Sequence, residues 1–207
     1  MRQIIAAVLA AAALACSTPA AQQNPLSGWK VRADGPQTPD SGAAVHADAR
    51  NDSLTLTTGP AAIYYKPEMK AEKDYTVSAT FSQLKPTPQP QPYGLFIAGA
   101  DLEKDTARYT AFLVRGDGRY QIAQWNHGTP KVIVDWSAAP QMREPKGVKT
   151  SNSLAIRALQ GAVHFFIGEK EVHQMPRADA GLDGTAGVRM GAGLNVQVDN
   201  LSVKKFP

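Results

Sequence analysis

Aromatic and planar polar side chains that could hold a sugar ring lie on two neighbouring predicted strands, joined by the turn Gly116-Asp117-Gly118. If this is a three-residue loop with Gly118 left-handed, Arg115 faces Arg119 and the register of the hairpin is fixed. Alternation then places two aromatic rings opposite each other on one face of the hairpin, beside an amide and a guanidinium. Aromatic rings pack against the C–H surface of sugars and planar polar groups bind their hydroxyls. The predicted carbohydrate-binding residues are Tyr109, Arg119, Gln121 and Trp125.

Two alternatives for this hairpin stay open at the level of sequence. A two-residue turn at Asp117-Gly118 would shift the register and place Trp125 across from Thr110. In the favoured register, Trp125 could instead pack under a loop such as Pro86–Pro92 and be closed to ligands. The opposite face, which carries Phe112, Val114 and Ile122, is predicted to be core.

The carboxylates and histidines of the chain do not form a recognisable catalytic or metal-binding pattern. Retaining glycosidases need two carboxyl groups about 5 Å apart, and the closest candidates, Glu103-Lys104-Asp105 and Glu169-Lys170-Glu171, fall in predicted turns. None of the four histidines has a second ligand at metal-binding spacing. We therefore predict no catalytic residue, no metal ligand and no cofactor, with structural calcium at Asp199 as the alternative to a hydrogen bond in a bulge.

The charge distribution argues against nucleic acid as a partner. The formal net charge is +4, and lysine and arginine are scattered along the chain rather than gathered in a basic stripe.

The N-terminal residues have the pattern of an export signal. A short positive start is followed by an apolar run from Ile4 to Ala15, which is too short for a permanent membrane span. The lone cysteine, Cys16, follows at once and resembles a lipobox cysteine. We predict a signal peptide at 1–15, lipidation of Cys16 and a tether at 16–24, in the periplasm or outer membrane. The alternative is cleavage after Ala15, Ala20 or Ala21 and simple secretion.

Short strand-like runs separated by turn residues fill the rest of the chain, without a helical period. Tyr75–Ser82 alternates apolar and polar residues most clearly, and four runs between Tyr93 and Trp136 predict a meander at the centre of one sheet. A slip of the apolar period between Val198 and Leu201 predicts a β-bulge. These signals predict an all-β fold, a two-sheet antiparallel β-sandwich that forms a single domain over 25–207.

A series of strand and turn motifs follows in a fixed order along the chain. The motifs are Tyr93-Gly94-Leu95-Phe96-Ile97, Tyr109-Thr110-Ala111-Phe112-Leu113, Gly116-Asp117-Gly118-Arg119-Tyr120, Val134-Asp135-Trp136, Ser153-Leu154-Ala155-Ile156-Arg157, Phe166-Ile167-Gly168-Glu169, Gly187-Val188-Arg189-Met190-Gly191 and Val198-Asp199-Asn200-Leu201-Ser202-Val203. Their order resembles the concanavalin A-like, laminin-G-like jelly rolls of bacterial exported proteins, over about two-thirds of the predicted mature chain. Folds of this kind host lectin-like modules, glycoside hydrolases and uncharacterised domains, including a group similar to 3-keto-disaccharide hydrolases.

Three functions remain at this point. The favoured one is a non-catalytic exported module that binds a glycan or another cell-envelope component and meets the membrane only through a lipid anchor. The second is a glycoside hydrolase of the 3-keto-disaccharide or glucanase type on the same fold. The third is a structural envelope lipoprotein without a small-molecule ligand.

Overall fold

A computed structural model describes residues 28–34, 46–50, 53–142, 150–181 and 183–206. These residues form fourteen strands and one single-turn helix. The strands are β1 Lys30–Ala33, β2 His46–Arg50, β3 Ser53–Thr57, β4 Ala62–Ala71, β5 Tyr75–Gln83, β6 Tyr93–Ala100, β7 Arg108–Arg115, β8 Arg119–Asn126, β9 Thr129–Ala138, β10 Thr150–Ala158, β11 Ala162–Ile167, β12 Lys170–Pro176, β13 Gly184–Met190 and β14 Asn195–Lys205, and the helix α1 is Arg177–Ala180.

The strands form two seven-stranded sheets. The front sheet has the order β1-β4-β13-β6-β7-β8-β9, and the back sheet has the order β12-β11-β10-β5-β14-β3-β2. Neighbouring strands in both sheets run antiparallel. The chain is therefore an antiparallel β-sandwich of the jelly-roll type, as the sequence predicted.

The main core lies between the sheets and follows from the alternation of side chains along each strand. On β5, Tyr75, Val77, Ala79 and Phe81 are buried. The residues that alternate with them, Thr76, Ser78 and Thr80, are partly exposed. β11 alternates in the same way. Because successive side chains point to opposite faces of a strand, each alternating run gives one apolar face to this core.

The predicted hairpin register is confirmed. Arg115 pairs with Arg119 and Tyr109 pairs with Trp125. Gly118 has a φ of +75°, and its N–H donates to the carbonyl of Arg115 at 3.1 Å. The left-handed backbone at this position favours glycine, which explains why the turn closes after three residues.

The predicted bulge near the C-terminus is also confirmed. The pairing of β14 with β5 shifts between Asp199 and Ser202, and Asn200 has a φ of +55°. Asparagine is one of the few non-glycine residues that tolerate this conformation.

Several predicted elements differ from the observed ones. The meander occupies the end of the front sheet rather than its centre, because β9 has no further neighbour among the described strands. β4 continues through a charged stretch to Ala71, and the single-turn helix α1 directly follows β12, although the sequence showed no helical period. His127 and Gly128, with φ of +52° and +77°, form the two-residue turn between β8 and β9.

The predicted signal peptide at 1–15, Cys16 and the tether at 16–24 lie outside the described residues. Among the residues that are described, none belongs to a helix that is both long enough and apolar enough to span a bilayer.

Candidate functional site

The two faces of the β7–β8 hairpin have different environments. Phe112, Val114, Tyr120 and Ile122 belong to the inter-sheet core, as predicted. The other face contributes Tyr109, Ala111 and Leu113 to a second apolar group, which we call the outer cluster. Trp125 and Trp136 are partly buried and pack against this cluster. The outer cluster is Ile63, Tyr65, Phe96, Leu102, Tyr109, Ala111 and Leu113.

The outer face of the hairpin is closed over much of its length. Tyr109 is only 5% exposed, and Ala111, Leu113 and Ala123 are buried as well. Apolar side chains from β4 and β6 surround them, and Leu102 joins the cluster from the loop between β6 and β7. The sequence of the hairpin alone could not show this, because the covering residues come from other strands and from that loop.

The loop between β6 and β7 is fastened across the front sheet by two ion pairs with β1. Lys30 pairs with Glu103, and Arg32 Nη2 lies 3.8 Å from Asp105 Oδ1. Glu103-Lys104-Asp105 is the segment that the sequence offered as a weak catalytic candidate. Glu103 and Asp105 each pair with a cation of β1, and these contacts connect the loop to the edge of the front sheet.

Tyr109 and Trp125 stack at one end of the hairpin and line an open groove of about 680 Å³. Their ring centroids are 5.2 Å apart and the rings are inclined by 9°. Trp125 is partly exposed, so it presents more surface to the groove than Tyr109 does. Polar residues at the ends of β7 and β8 and in the following turn line the same groove, including Arg108, Gln124, Asn126 and His127.

The wall of the groove is tied to α1 and the loop after it. Thr110 Oγ1 donates to the carbonyl of Ala180 at 2.5 Å, and the Gln124 amide donates to the carbonyl of Asp179. Asp183, which also lines the groove, accepts hydrogen bonds from the Lys73 backbone N–H at 2.9 Å and from Arg177 at 3.1 Å. These hydrogen bonds hold the wall of the groove in place in the absence of a ligand.

The cation beside the aromatic pair was not found from sequence. The Arg189 guanidinium lies 5.2 Å from the Trp125 ring centroid and forms two hydrogen bonds with Asp34, one of them 2.9 Å long. Arg189 is on β13, opposite Gly94 of β6. Gly94 cannot carry a side chain, since an added Cβ would lie 2.1 Å from the Phe112 carbonyl oxygen. The sequence signal for this cation was Arg189 itself, a single charged residue in a strand that is otherwise uncharged.

Arg119 and Gln121 do not join Tyr109 and Trp125 at the groove. They share the outer face of β8, but Arg119 is six residues from Trp125, which is roughly 20 Å along a strand. Arg119 lies 3.8 Å from Asp117 in the hairpin turn, and Gln121 is opposite Leu113. The predicted four-residue set is therefore divided between the two ends of one strand.

Burial raises the pKa of the Tyr109 hydroxyl well above its usual value, and the positive charge of Arg189 only partly opposes this. Burial, helped by Glu103, raises the pKa of Tyr65 in the same way. Both phenols are therefore neutral at any physiological pH. A neutral phenol can donate a hydrogen bond as well as accept one.

The described residues contain no cluster of three or more histidine, cysteine, aspartate or glutamate side chains that could hold a metal. At the bulge of β14, the Asp199 carboxylate accepts hydrogen bonds of 2.8 and 3.1 Å from the Gln197 amide.

No protein-family model and no curated protein matches the sequence. Solved structures do match the fold. The carbohydrate-binding module CBM66 from Bacillus subtilis aligns with a TM-score of 0.63 and 10% identity, over 86% of this chain and 96% of its own. A Bacillus subtilis protein of unknown function with a galectin-like fold gives 0.60 and 16%, over 87% and 90%. The endo-β-1,3-glucanase from Pyrococcus furiosus gives 0.59 and 9%, over 87% and 89%.

These likenesses are confined to the fold, because all the identities are low. They agree with the sequence-based prediction at the level of a two-sheet jelly-roll sandwich. Proteins that bind glycans and proteins that cleave them share this architecture, so the fold does not choose between the two.

Proposed function

We propose that this chain is a non-catalytic glycan-binding jelly-roll module of the cell envelope, exported and held at a membrane by a lipid on Cys16. The observation that supports binding is the Tyr109–Trp125 stack at the wall of the 680 Å³ groove. Fold neighbours that include a carbohydrate-binding module and a glucanase support a glycan-related role in general. Export and lipidation are supported by the N-terminal sequence pattern alone.

The groove has the composition that sugar recognition requires. The partly exposed indole of Trp125 provides an apolar surface for sugar C–H groups. Arg108, Asn126 and His127 supply side-chain donors and acceptors around it. Volumes of this order are typical of sites for small ligands, so we expect the groove to hold one or a few sugar residues rather than a long chain.

Binding is proposed rather than glycoside cleavage because of the acids at the groove. Retaining cleavage needs two carboxyl groups about 5 Å apart, and inverting cleavage needs two at about 6.5–9.5 Å. Among the described residues that line the groove, Asp183 supplies the carboxylate, and it is already bonded to Arg177 and to the Lys73 backbone. A second acid would have to come from elsewhere.

A glycan array probed with the wild-type chain and with Trp125→Ala tests the proposal. We expect a discrete set of bound glycans, and affinity lower by about tenfold or more in the variant, which corresponds to about 1.4 kcal/mol. Trp136→Ala is the matched control, since Trp136 is also a partly buried tryptophan on the outer cluster but does not line the groove.

Thermal unfolding of both variants shows whether they remain folded. Equal affinity in wild type and Trp125→Ala would refute the site. Release of reducing ends from a bound glycan by the wild type would refute the non-catalytic assignment and favour the hydrolase alternative.

A further inference from the structure

Along one edge of the sandwich, a strand in each sheet loses its neighbour among the described residues. β1 pairs with β4 only from Ala62 to Tyr65, so within the described residues Lys66–Ala71 has no partner strand on that side. β3 pairs with β14 only as far as Asp199, so no described strand pairs with Asn200–Lys205 on its β3 side. The bulge at Asn200 occurs where this pairing ends. The result is a groove between the two sheets, which we call the edge groove.

The edge groove has an apolar floor and a volume of about 1050 Å³. Leu54 and Val198, at its base, are part of the inter-sheet core. Its sides include four apolar side chains that remain partly exposed, and each still gains free energy when it is covered, at about 25 cal/mol per Å². These four are Trp29, Met69, Leu201 and Val203.

The rim of the edge groove is cationic. Lys66, Lys70 and Lys205 line it, against one carboxylate, Glu68. Lys205 Nζ lies 3.3 Å from Glu72. Within the part of the chain that the structure describes, no ion-pair partner is found for Lys66 or Lys70. Lys70 Nζ donates to Thr185 Oγ1 at 3.1 Å, and Lys66 Nζ lies 5.4 Å from the Trp29 ring centroid. Both partners are uncharged, so neither contact neutralises the lysine charge at the mouth of the groove.

An extended peptide is a poor fit for this place, although two strand edges border it. Pro67 stands in the unpaired half of β4 and has no N–H to donate to an added strand. Charged residues such as Glu68 and Lys70 beside a proline are typical of edges that resist pairing with another strand. A ligand that uses the apolar floor without strand hydrogen bonds fits better.

We propose that the edge groove binds a monomeric anionic amphiphile, with a single acyl chain and a carboxylate or phosphate head group. The acyl chain lies over Leu54 and Val198 and between the apolar side chains of the walls. The head group lies at the rim, next to Lys66 and Lys70. This site shares none of its lining residues with the Tyr109–Trp125 groove, so it does not depend on the proposed glycan site.

Isothermal titration of the full chain with dodecanoate and with dodecyl phosphate, below their aggregation thresholds, tests the site. A dodecyl polyethylene glycol ether and dodecyltrimethylammonium carry the same chain with a neutral, sugar-free head or a cationic head. We expect both anions to bind with measurable heat and the other two to bind more weakly. Lys66→Gln/Lys70→Gln should weaken dodecanoate binding by about two- to thirtyfold, since each exposed ion contact is worth roughly 0.2–1 kcal/mol.

The matched control is Lys85→Gln/Lys131→Gln, which removes the same charge from exposed lysines outside the groove. The proposal is overturned if dodecanoate does not bind, if the neutral amphiphile binds equally well, or if both double variants behave alike. Binding only to vesicles that contain phosphatidylglycerol would overturn it in favour of a bilayer surface. Trp125→Ala should leave dodecanoate binding unchanged, which separates failure of this site from failure of the glycan site.

Discussion

The ion pair between Asp34 and Arg189 allows a sharp test of how the outer face is built. Its two partners differ greatly in environment, since the Arg189 side chain is 8% exposed and that of Asp34 is 46% exposed. Asp34→Ala leaves a buried guanidinium without its carboxylate. Arg189→Met leaves the Asp34 carboxylate unpaired, but water can solvate it. The methionine side chain still covers part of the Trp125 ring.

The expected costs follow from this asymmetry. Removing one partner of a buried pair costs about 3–5 kcal/mol, and partial solvation of Asp34 reduces this to about 2–3 kcal/mol for Asp34→Ala. Arg189→Met loses a cation–π contact and hydrogen bonds to a half-exposed group, so we expect about 1 kcal/mol. The double variant contains no unpaired buried charge and should cost about 1–2 kcal/mol, which gives a coupling of about 2 kcal/mol.

Urea unfolding at pH 7, followed by tryptophan fluorescence, gives the free energy of unfolding of all four proteins. If Arg189→Met costs as much as Asp34→Ala or more, the guanidinium is not desolvated as described. A coupling below about 0.5 kcal/mol would show that the two residues act independently.

Two further predictions concern pH and the N-terminus. Burial lowers the pKa of His173 more strongly than Glu171 raises it, so the unfolded chain takes up the proton first and stability falls as the pH drops through about 6.5. The urea midpoint should therefore fall between pH 7.5 and 5.5 by more in the wild type than in His173→Gln, and equal changes would contradict this. If Cys16 is lipidated, Cys16→Ser should move the chain from the membrane fraction to the soluble fraction, whereas an unchanged distribution would exclude the anchor.

The local features of the fold could be predicted because they depend on residues close together in the chain. The alternation in Tyr75–Ser82 specifies which side chains of β5 face the core, and the structure confirms it. Gly116-Asp117-Gly118 predicted a three-residue loop with Gly118 left-handed, and the structure confirms this loop over the two-residue turn that the sequence also allowed. That register places Tyr109 opposite Trp125 without any knowledge of the rest of the sheet.

The candidate site could be predicted only in part, because its environment comes from distant parts of the chain. Arg189 reaches Trp125 across the front sheet, and Leu102 covers the outer cluster from a loop. The hairpin sequence therefore could not show that Tyr109 is buried. The separation of Arg119 from Trp125, in contrast, follows from their six-residue spacing along one strand. No local sequence pattern predicts the edge groove either, because the groove forms where two strands from different sheets lose their described neighbours.

Sequence alone thus indicated an all-β sandwich and predicted a β7–β8 register with two different faces, which the structure confirmed over the two-residue turn. These depend on side-chain alternation and turn geometry, which act over a few residues. Tertiary structure alone decided which part of the outer face is open, which cation lies beside Trp125 and where the sandwich fails to close. These features depend on strand order and on contacts between segments far apart in the chain. The sequence of a single strand does not specify which other strands will lie next to it.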